Sequence, residues 1–337
     1  MALVLSEDQQ LLKDSAKNFC EQNAPVSVLR GLRDSKDEQG YDQAIWSQII
    51  ELGWAGMTIP EDYGGFDFGY GGLGVVLEET GKTLVSSPLI STVLVGATAI
   101  VQLGNETQKQ DLLPKIVAGE LLTALALDEH TSHNPSKIAT TATKVDGGYA
   151  LNGSKTFVLD GHIANVLIVA ARTSGETIGE QGISLFLVDA NAEGLNVVRT
   201  IMVDSRNSSN IQFNNVVVAE DALLGELDQG FNGLDSVLDI ARIGIAAEML
   251  GSMQAVFETI LEFLKQREQF GVLIGSFQGL QHRAAEMYSE IELCKSAVRA
   301  ALAGLDDPDT TQAERAELAS MTKAKLSEVF FLVSNEG

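Results

Sequence analysis

The sequence predicts an α+β protein in three parts: an N-terminal all-α domain, a middle antiparallel β-barrel or sandwich domain, and a C-terminal helical bundle that lacks its last helix. Three observations carry this reading. Apolar residues recur at helical spacing through the first third, the period shortens to that of strands between about Leu121 and Val218, and long helical patterns return from Gly230. The domain boundaries that follow are residues 1–120, 121–228 and 229–337.

The first helix opens at Ser6-Glu7-Asp8-Gln9, an N-cap serine with an amide at the capping-box position, and Leu11, Leu12, Ala16 and Phe19 follow on one face. A second amphipathic segment runs from Tyr41 to Leu52 and stops at Gly53. Gly64-Gly65 and the stretch Gly69 to Gly74 read as loop, and an apolar segment from Leu73 to Leu84 follows. From Thr83 to Asn105 there is no charge, so a membrane span has to be weighed. Ser86, Ser87, Pro88, Ser91, Thr92, Thr98 and Gln102 dilute the apolar character, and Pro88 would interrupt a single long helix, so a buried helix is the expectation. Thr107 to Gly119 closes this part.

In the middle part, Leu122–Leu127, Ser136–Val145, Tyr149–Asn152, Val166–Ala171, Ile183–Val188, Leu195–Ile201 and Ile211–Val218 are short, rich in Val, Ile, Leu and Thr, and separated by Gly, Asn and Asp. Asp146-Gly147-Gly148 reads as a hairpin turn, since these residues tolerate positive φ. Beyond Gly230 three helical patterns follow: Gly233–Gln266, Phe277–Leu305 and Thr310 to about Ser334, with Asp307-Pro308-Asp309 breaking the last two apart. Three long amphipathic helices call for a fourth to close a bundle. The sequence reaches Asn335-Glu336-Gly337 without one, which reads as a C-terminal truncation or an omitted segment.

Composition narrows the functional classes. A formal charge of −23 over 337 residues opposes broad attraction to nucleic acid or to an anionic membrane, so neither is an expected partner. Cys20 and Cys294 are far apart with no CxxC pair or histidine cluster, which suits a reduced cytoplasm and no metal centre. Met1 to Leu5 has no basic region and runs into Ser6-Glu7-Asp8, so it does not read as a signal peptide.

Five motifs in one order carry a family resemblance: WSQIIELGWAGMTIPEDYGG (46–65), LGNETQKQDLLPKIVAGE (103–120), GYALNGSKTFVLDG (148–161), IQFNNVVVAEDALLG (211–225) and QREQFGVLIGSFQGLQ (266–281). Together they resemble the acyl-CoA dehydrogenases, flavoproteins that oxidise a coenzyme A thioester to its α,β-unsaturated form. That chemistry needs a base for the α-proton and a hydride acceptor for the β-hydrogen. No side chain accepts a hydride, so a bound flavin must.

The resemblance implies FAD as cofactor, an acyl-CoA as substrate, an electron-transfer flavoprotein as electron acceptor, and an oligomer, homomeric or built with a homologous subunit. It places Leu127, Asp128, Phe157 and Leu159 beside the flavin. It also gives Arg267, Phe270 and Gln278 the flavin of a neighbouring subunit, the first two sharing a helix face by their spacing and Gln278 opening the next helix. Asp239 and Arg242, three apart, match positions near coenzyme A, with a local helix ion pair as the plain alternative. Arg206 matches a recurrent arginine of the family. The apolar segment Ser87–Leu103 is expected to line the acyl pocket, its Gly96, Ala97 and Ala99 leaving room for a bulky group.

Three departures from the family pattern stand out. The segment Asp128-Glu129-His130-Thr131-Ser132-His133-Asn134-Pro135 has no glycine where the family has a glycine-rich loop, which raises the steric cost of close backbone approach. His130 and His133 there read as polar loop residues. Leu159 cannot donate a hydrogen bond to the flavin, whereas Phe157 can still stack on it. Ala241 stands where some relatives carry a glutamate base, and Glu248, two turns on, reads as structural; the catalytic base is unassigned. These departures support an alternative, a non-catalytic or half-active subunit that completes the flavin site of a homologous partner in a heteromer, and the KTFVLDG segment resembles the branch acting on steroid side chains. Flavin oxidase chemistry ranks third.

Overall fold

The computed structural model describes residues 4–337, in two compact units. Residues 4–28, 68–85 and 239–337 form a helical unit, and residues 29–67 and 86–238 form a second unit built on a sheet.

In chain order the helices begin with α1 (Glu7–Asn23), α2 (Val26–Ser35), α3 (Gln43–Glu51) and α4 (Gly69–Thr83). A π-helix (Leu89–Ala97), α5 (Thr98–Leu103) and α6 (Glu106–Val117) follow. The strands are β1 (Thr123–Ala126), β2 (Thr141–Val145), β3 (Gly148–Leu159), β4 (Val166–Arg172), β5 (Ile183–Asp189), β6 (Leu195–Ile201), β7 (Asn207–Ala219) and β8 (Leu223–Leu224). Then come α7 (Gly230–Gln266), the short strands β9 (Glu268–Gln269) and β10 (Val272–Leu273), α8 (Gln278–Asp306) and α9 (Gln312–Glu336).

The α1 capping box forms as its sequence implies: Gln9 N donates to Ser6 Oγ and Ser6 N donates to Gln9 Oε1, each at 3.1 Å. The glycines of 69–74 are helical rather than loop. Asp306 at the end of α8 supplies the missing N-cap of α4, accepting from the N–H groups of Tyr70 and Gly71 at 2.7 Å each, and side chains on Gly69 or Gly71 would collide with that carboxylate. Close packing uses the other glycines. A Cβ on Gly81 would lie 2.1 Å from Glu248 O, and one on Gly251 would lie 1.7 Å from Glu78 O, so α4 and α7 meet backbone to backbone. Glu78, 1% exposed, is matched by Arg299 at 2.7 Å and by Lys13.

In the second unit the strands pair in the order β6-β7-β3-β2-β4-β5-β8. Pairing is antiparallel apart from β1, which runs parallel to β4, and a single parallel β2–β4 pair. Asp146-Gly147 turns β2 into β3, with Val145 opposite Gly148, and Gly147 alone takes positive φ, at 75°. The sheet core is Leu151, Val158, Phe186, Ile211, Phe213 and their neighbours, with Tyr149 and Phe186 ring centroids 5.0 Å apart. As the proline required, the uncharged stretch is not one helix: α4 ends at Thr83, and the π-helix starts after Pro88 with all nine of its residues buried. Helix α7 is long and apolar enough to cross a membrane by composition alone, and 56% of its most apolar window is buried within the fold.

Candidate functional site

Strand β3 carries the first cluster of expected site residues. Its pairing with β7 slips between Lys155 and Val158, and the extra residue puts Phe157 in the left-handed region at φ +53°. A bulky side chain rarely sits there, and it stays only where its surroundings over-determine it. Val158 is locked in the core at 1% exposure, while Phe157 is 50% exposed and Leu159 half-buried, so the bulge turns an aromatic face outward from a rigid strand. Thr156 N donates to Asp128 O at 2.7 Å, which brings the β1 exit, Leu127 and Asp128, beside this face.

The bulge is braced from behind. Lys155, 1% exposed, donates from Nζ to Leu127 O at 2.9 Å and to Glu129 Oε1 at 2.8 Å. Burial pushes the Lys155 ammonium down to about 8 against the pull of Glu129. Burial works to raise the Glu129 carboxyl, but the Lys155 charge and hydrogen bonds from Lys155 and Thr140 outweigh it and hold the carboxyl below its usual range. Glu129 also accepts from Ala139 N at 2.6 Å and Thr140 N at 2.9 Å. Arg172, equally buried, points its guanidinium at five carbonyls, those of Ile138, Gln181, Ser136, Thr177 and Gly179, and so ties down the neighbouring loops. At the far end of the bulge Asp160 is 6% exposed with φ +56°, and burial pushes its carboxyl up to about 6.

A half-exposed ring on a strand braced by a buried ion pair, beside a backbone edge, suits a flat aromatic ligand. Just beyond the glycine-free loop, the N–H groups of Ala139 and Thr140 are taken by Glu129; within it Asn134 Oδ1 accepts from Ser136, and Pro135 has no N–H. His133 Nδ1 lies 3.0 Å from Asp128 Oδ2 and His130 is exposed; among the described residues no group of three His, Cys, Asp or Glu side chains could hold a metal.

Asp239, Arg242, Arg267, Phe270 and Gln278 belong to the helical unit. Asp239, 2% exposed, accepts from Arg242 Nη1 at 2.6 Å, the local pair that their spacing allowed. Ala241 is buried and Glu248 half-buried on the same helix. Arg267 and Phe270 do not share a helix face. Helix α7 ends at Gln266, and Phe270-Gly271 form the tip of the β9–β10 hairpin with φ of +54° and +75°, the pattern of a two-residue turn. The hairpin nonetheless gathers them: Ile274 N donates to Arg267 O at 2.8 Å, and Phe277, which precedes Gln278 at the start of α8, meets Phe270 edge-on at 6.2 Å.

Arg206 lies near enough to Asp160 to favour its ionised form. The small residues of the apolar segment are used for packing rather than for room. A Cβ on Gly96 would lie 1.7 Å from Thr123 Oγ1, and Ala97 belongs to the core with Ile59 and Ile100. Sequence reading did not single out Lys155 or Asp160. Asp160 has a signal, a charge closing an apolar run and followed by a glycine whose Cβ would sit 2.3 Å from Ser209 Oγ; Lys155, between Ser154 and Thr156, has no such local signal.

Three family descriptions match the chain consecutively: "Acyl-CoA dehydrogenase, N-terminal domain" over residues 6–120, the middle domain over 124–216 and the C-terminal domain over 228–337. The chain is 32% identical over 314 residues to a mitochondrial 2-methylacyl-CoA dehydrogenase of Solanum tuberosum, covering 91% of this chain and 75% of that protein. Among solved structures it is similar to butyryl-CoA dehydrogenase of Megasphaera elsdenii, with a TM-score of 0.88, 29% identity, and coverage of 100% of this chain and 88% of that one. It is also similar to the Tcur3481-Tcur3483 steroid ACAD, with a TM-score of 0.85, 31% identity, and coverage of 98% and 85%.

Proposed function

Because the chain belongs to the acyl-CoA dehydrogenase family, we propose that it binds FAD and desaturates the α,β-bond of an acyl-CoA thioester. The observation that carries the flavin part is the Phe157 ledge, an outward aromatic ring held at φ +53° beside Leu127 and Asp128 on a strand braced by a buried ion pair. When bound, the flavin supplies the acceptor for the β-hydrogen. Phe157 would stack on its ring system, Leu159 would pack apolar surface beside it and exclude water, and the backbone at Leu127–Asp128 would meet its polar edge. Arg267, Phe270 and Gln278, gathered at the hairpin, would hold the phosphate and adenosine end of a flavin belonging to a neighbouring subunit; an arginine fork suits a phosphate. Arg242, positioned by Asp239, would meet the coenzyme A part. Ala241 can accept no proton, so the base for the α-proton lies elsewhere.

This reading makes the protein an oligomer that passes electrons to an electron-transfer flavoprotein in the cytoplasm. The test is direct. Protein incubated with FAD and then freed of unbound flavin is expected to stay yellow and to bleach anaerobically with a branched or steroid-like acyl-CoA; protein that retains no FAD would sink it.

A second reading is favoured by one observation, the glycine-free loop whose Glu129 reaches out to occupy the N–H groups of Ala139 and Thr140. It makes the chain a subunit that contributes Arg267, Phe270 and Gln278 to the flavin of a homologous partner. Native mass spectrometry after co-expression decides: one FAD per chain in a homomer excludes this reading, and a mixed oligomer with half as many flavins as chains supports it.

A further inference from the structure

Directly after the flavin-facing pair sits a buried carboxyl group with no role in the assignments above. Asp160 Oδ2 accepts from Ser91 Oγ at 2.6 Å, and Ser91, 2% exposed, lies in the π-helix Leu89–Ala97. Asp160 N donates to Asn207 O at 3.3 Å at the start of β7, and Asp160 O accepts from Ile163 N and Ala164 N at 3.1 and 3.2 Å. Arg206 from the β6–β7 turn, Asn207 from β7 and Tyr41 ahead of α3 are its other polar neighbours. One side chain thus joins three elements of the sheet unit.

Its placement relative to the ledge is the informative part. Phe157 and Asp160, at φ +53° and +56°, bracket Val158 and Leu159, so the chain enters and leaves this short segment through left-handed residues. Such conformations relax when their supports are removed. Lys155 supports the entry. At the exit, Asp160 holds a charge-assisted hydrogen bond, the stronger kind, and the π-helix it grips is a rare form frequently found at functional sites.

We propose that Asp160 is a positioning residue: its hydrogen bond to Ser91 latches the π-helix to the end of β3 and fixes the pose of Phe157 and Leu159 against the flavin ring. The proposal rests on the flavin reading above. D160A and S91A are each expected to weaken FAD binding about tenfold, in line with one lost charge-assisted hydrogen bond, and to shift the absorption spectrum of the bound flavin. The double variant should weaken it no further, because the two side chains act as one unit. D160N, which keeps an acceptor for Ser91 but not the charge, should lose less affinity than D160A. Parent-like affinity and spectrum in S91A, or losses that add independently in the double variant, would overturn the latch, and S91A decides alone if D160A does not fold. If the parent chain binds no FAD, the flavin reading fails on its own account. The latch is then read in the apoprotein by amide exchange at Leu159 and Gly161: faster exchange in S91A supports it and unchanged exchange overturns it.

Discussion

Phe157 and Phe270 have nearly the same backbone strain, φ +53° and +54°, and opposite surroundings. Phe157 is half-exposed on a strand whose next residue is locked in the core and whose flanks are held by Lys155 and Asp160. Phe270 is 92% exposed at the tip of a two-stranded hairpin, with the edge of Phe277 as its ring partner. The first ring is organised by its own unit before any ligand arrives. The second is carried on four strand residues at an exposed tip.

The largest effect should come from breaking the brace behind Phe157. Lys155→Met leaves Glu129 charged, nearly buried and without its lysine, and is expected to cost about 3–5 kcal/mol in urea unfolding. Pairing it with Glu129→Gln should return much of that loss; no recovery would mean that the ion pair is not the brace. Next is the pH dependence of Asp160. Burial raises its folded pKa from 3.8 to about 6, so folding favours the protonated form. Its stabilising contribution is complete below pH 3.8 and is lost as pH rises through about 6. Asp160→Asn should therefore flatten the stability profile over that window, by about 3 kcal/mol for two pKa units, when unfolding is followed from pH 4 to 7.

Phe157→Gly then separates strain from recognition. Relief of the left-handed backbone should hold or raise stability by about 1 kcal/mol, while FAD affinity falls about tenfold with the lost ring. The same change at Phe270 should leave stability similar and reduce flavin content only in the assembled oligomer, measured by flavin release across a dilution series. Smallest is Gly271→Ala at φ +75° with open space around it, expected to cost about 1 kcal/mol locally and to appear as faster exchange in the hairpin. A larger global loss would show that the hairpin is part of the core.

Much of the fold was legible because its signals are local. Ser6 with Gln9, Pro88, Asp146-Gly147 and the period change near residue 121 each act through their own few neighbours. Helix α2 was missed, having no buried residue to mark an inward face. Gly69 to Gly74 read as loop in sequence because the partners that make them helical, Asp306 and Leu302, are more than two hundred residues away. The same holds for the site. Phe157 and Leu159 could be found by resemblance, whereas the Glu129–Lys155 and Ser91–Asp160 pairs span 26 and 69 residues, and nothing local in the sequence joins their members. The helix face shared by Arg267 and Phe270 failed for a related reason: nothing in the spacing reveals that the helix stops one residue earlier.

The helical unit is assembled from three separated stretches of chain, and that has a consequence for biosynthesis. Contacts such as Ser252 Oγ to Gly81 O and Tyr70 N to Asp306 close over 171 and 236 residues, so α4, on which α1 packs, emerges from the ribosome long before α7 and α8. The sheet unit, encoded by residues 29–67 and 86–238, is complete by then. Folding is expected to run from the middle of the chain outward, with the first 28 residues waiting longest. Stalled nascent chains ending near residue 240 should resist protease across the strands yet be cut within α1; equal protection of both would show that the early helices settle without their late partners.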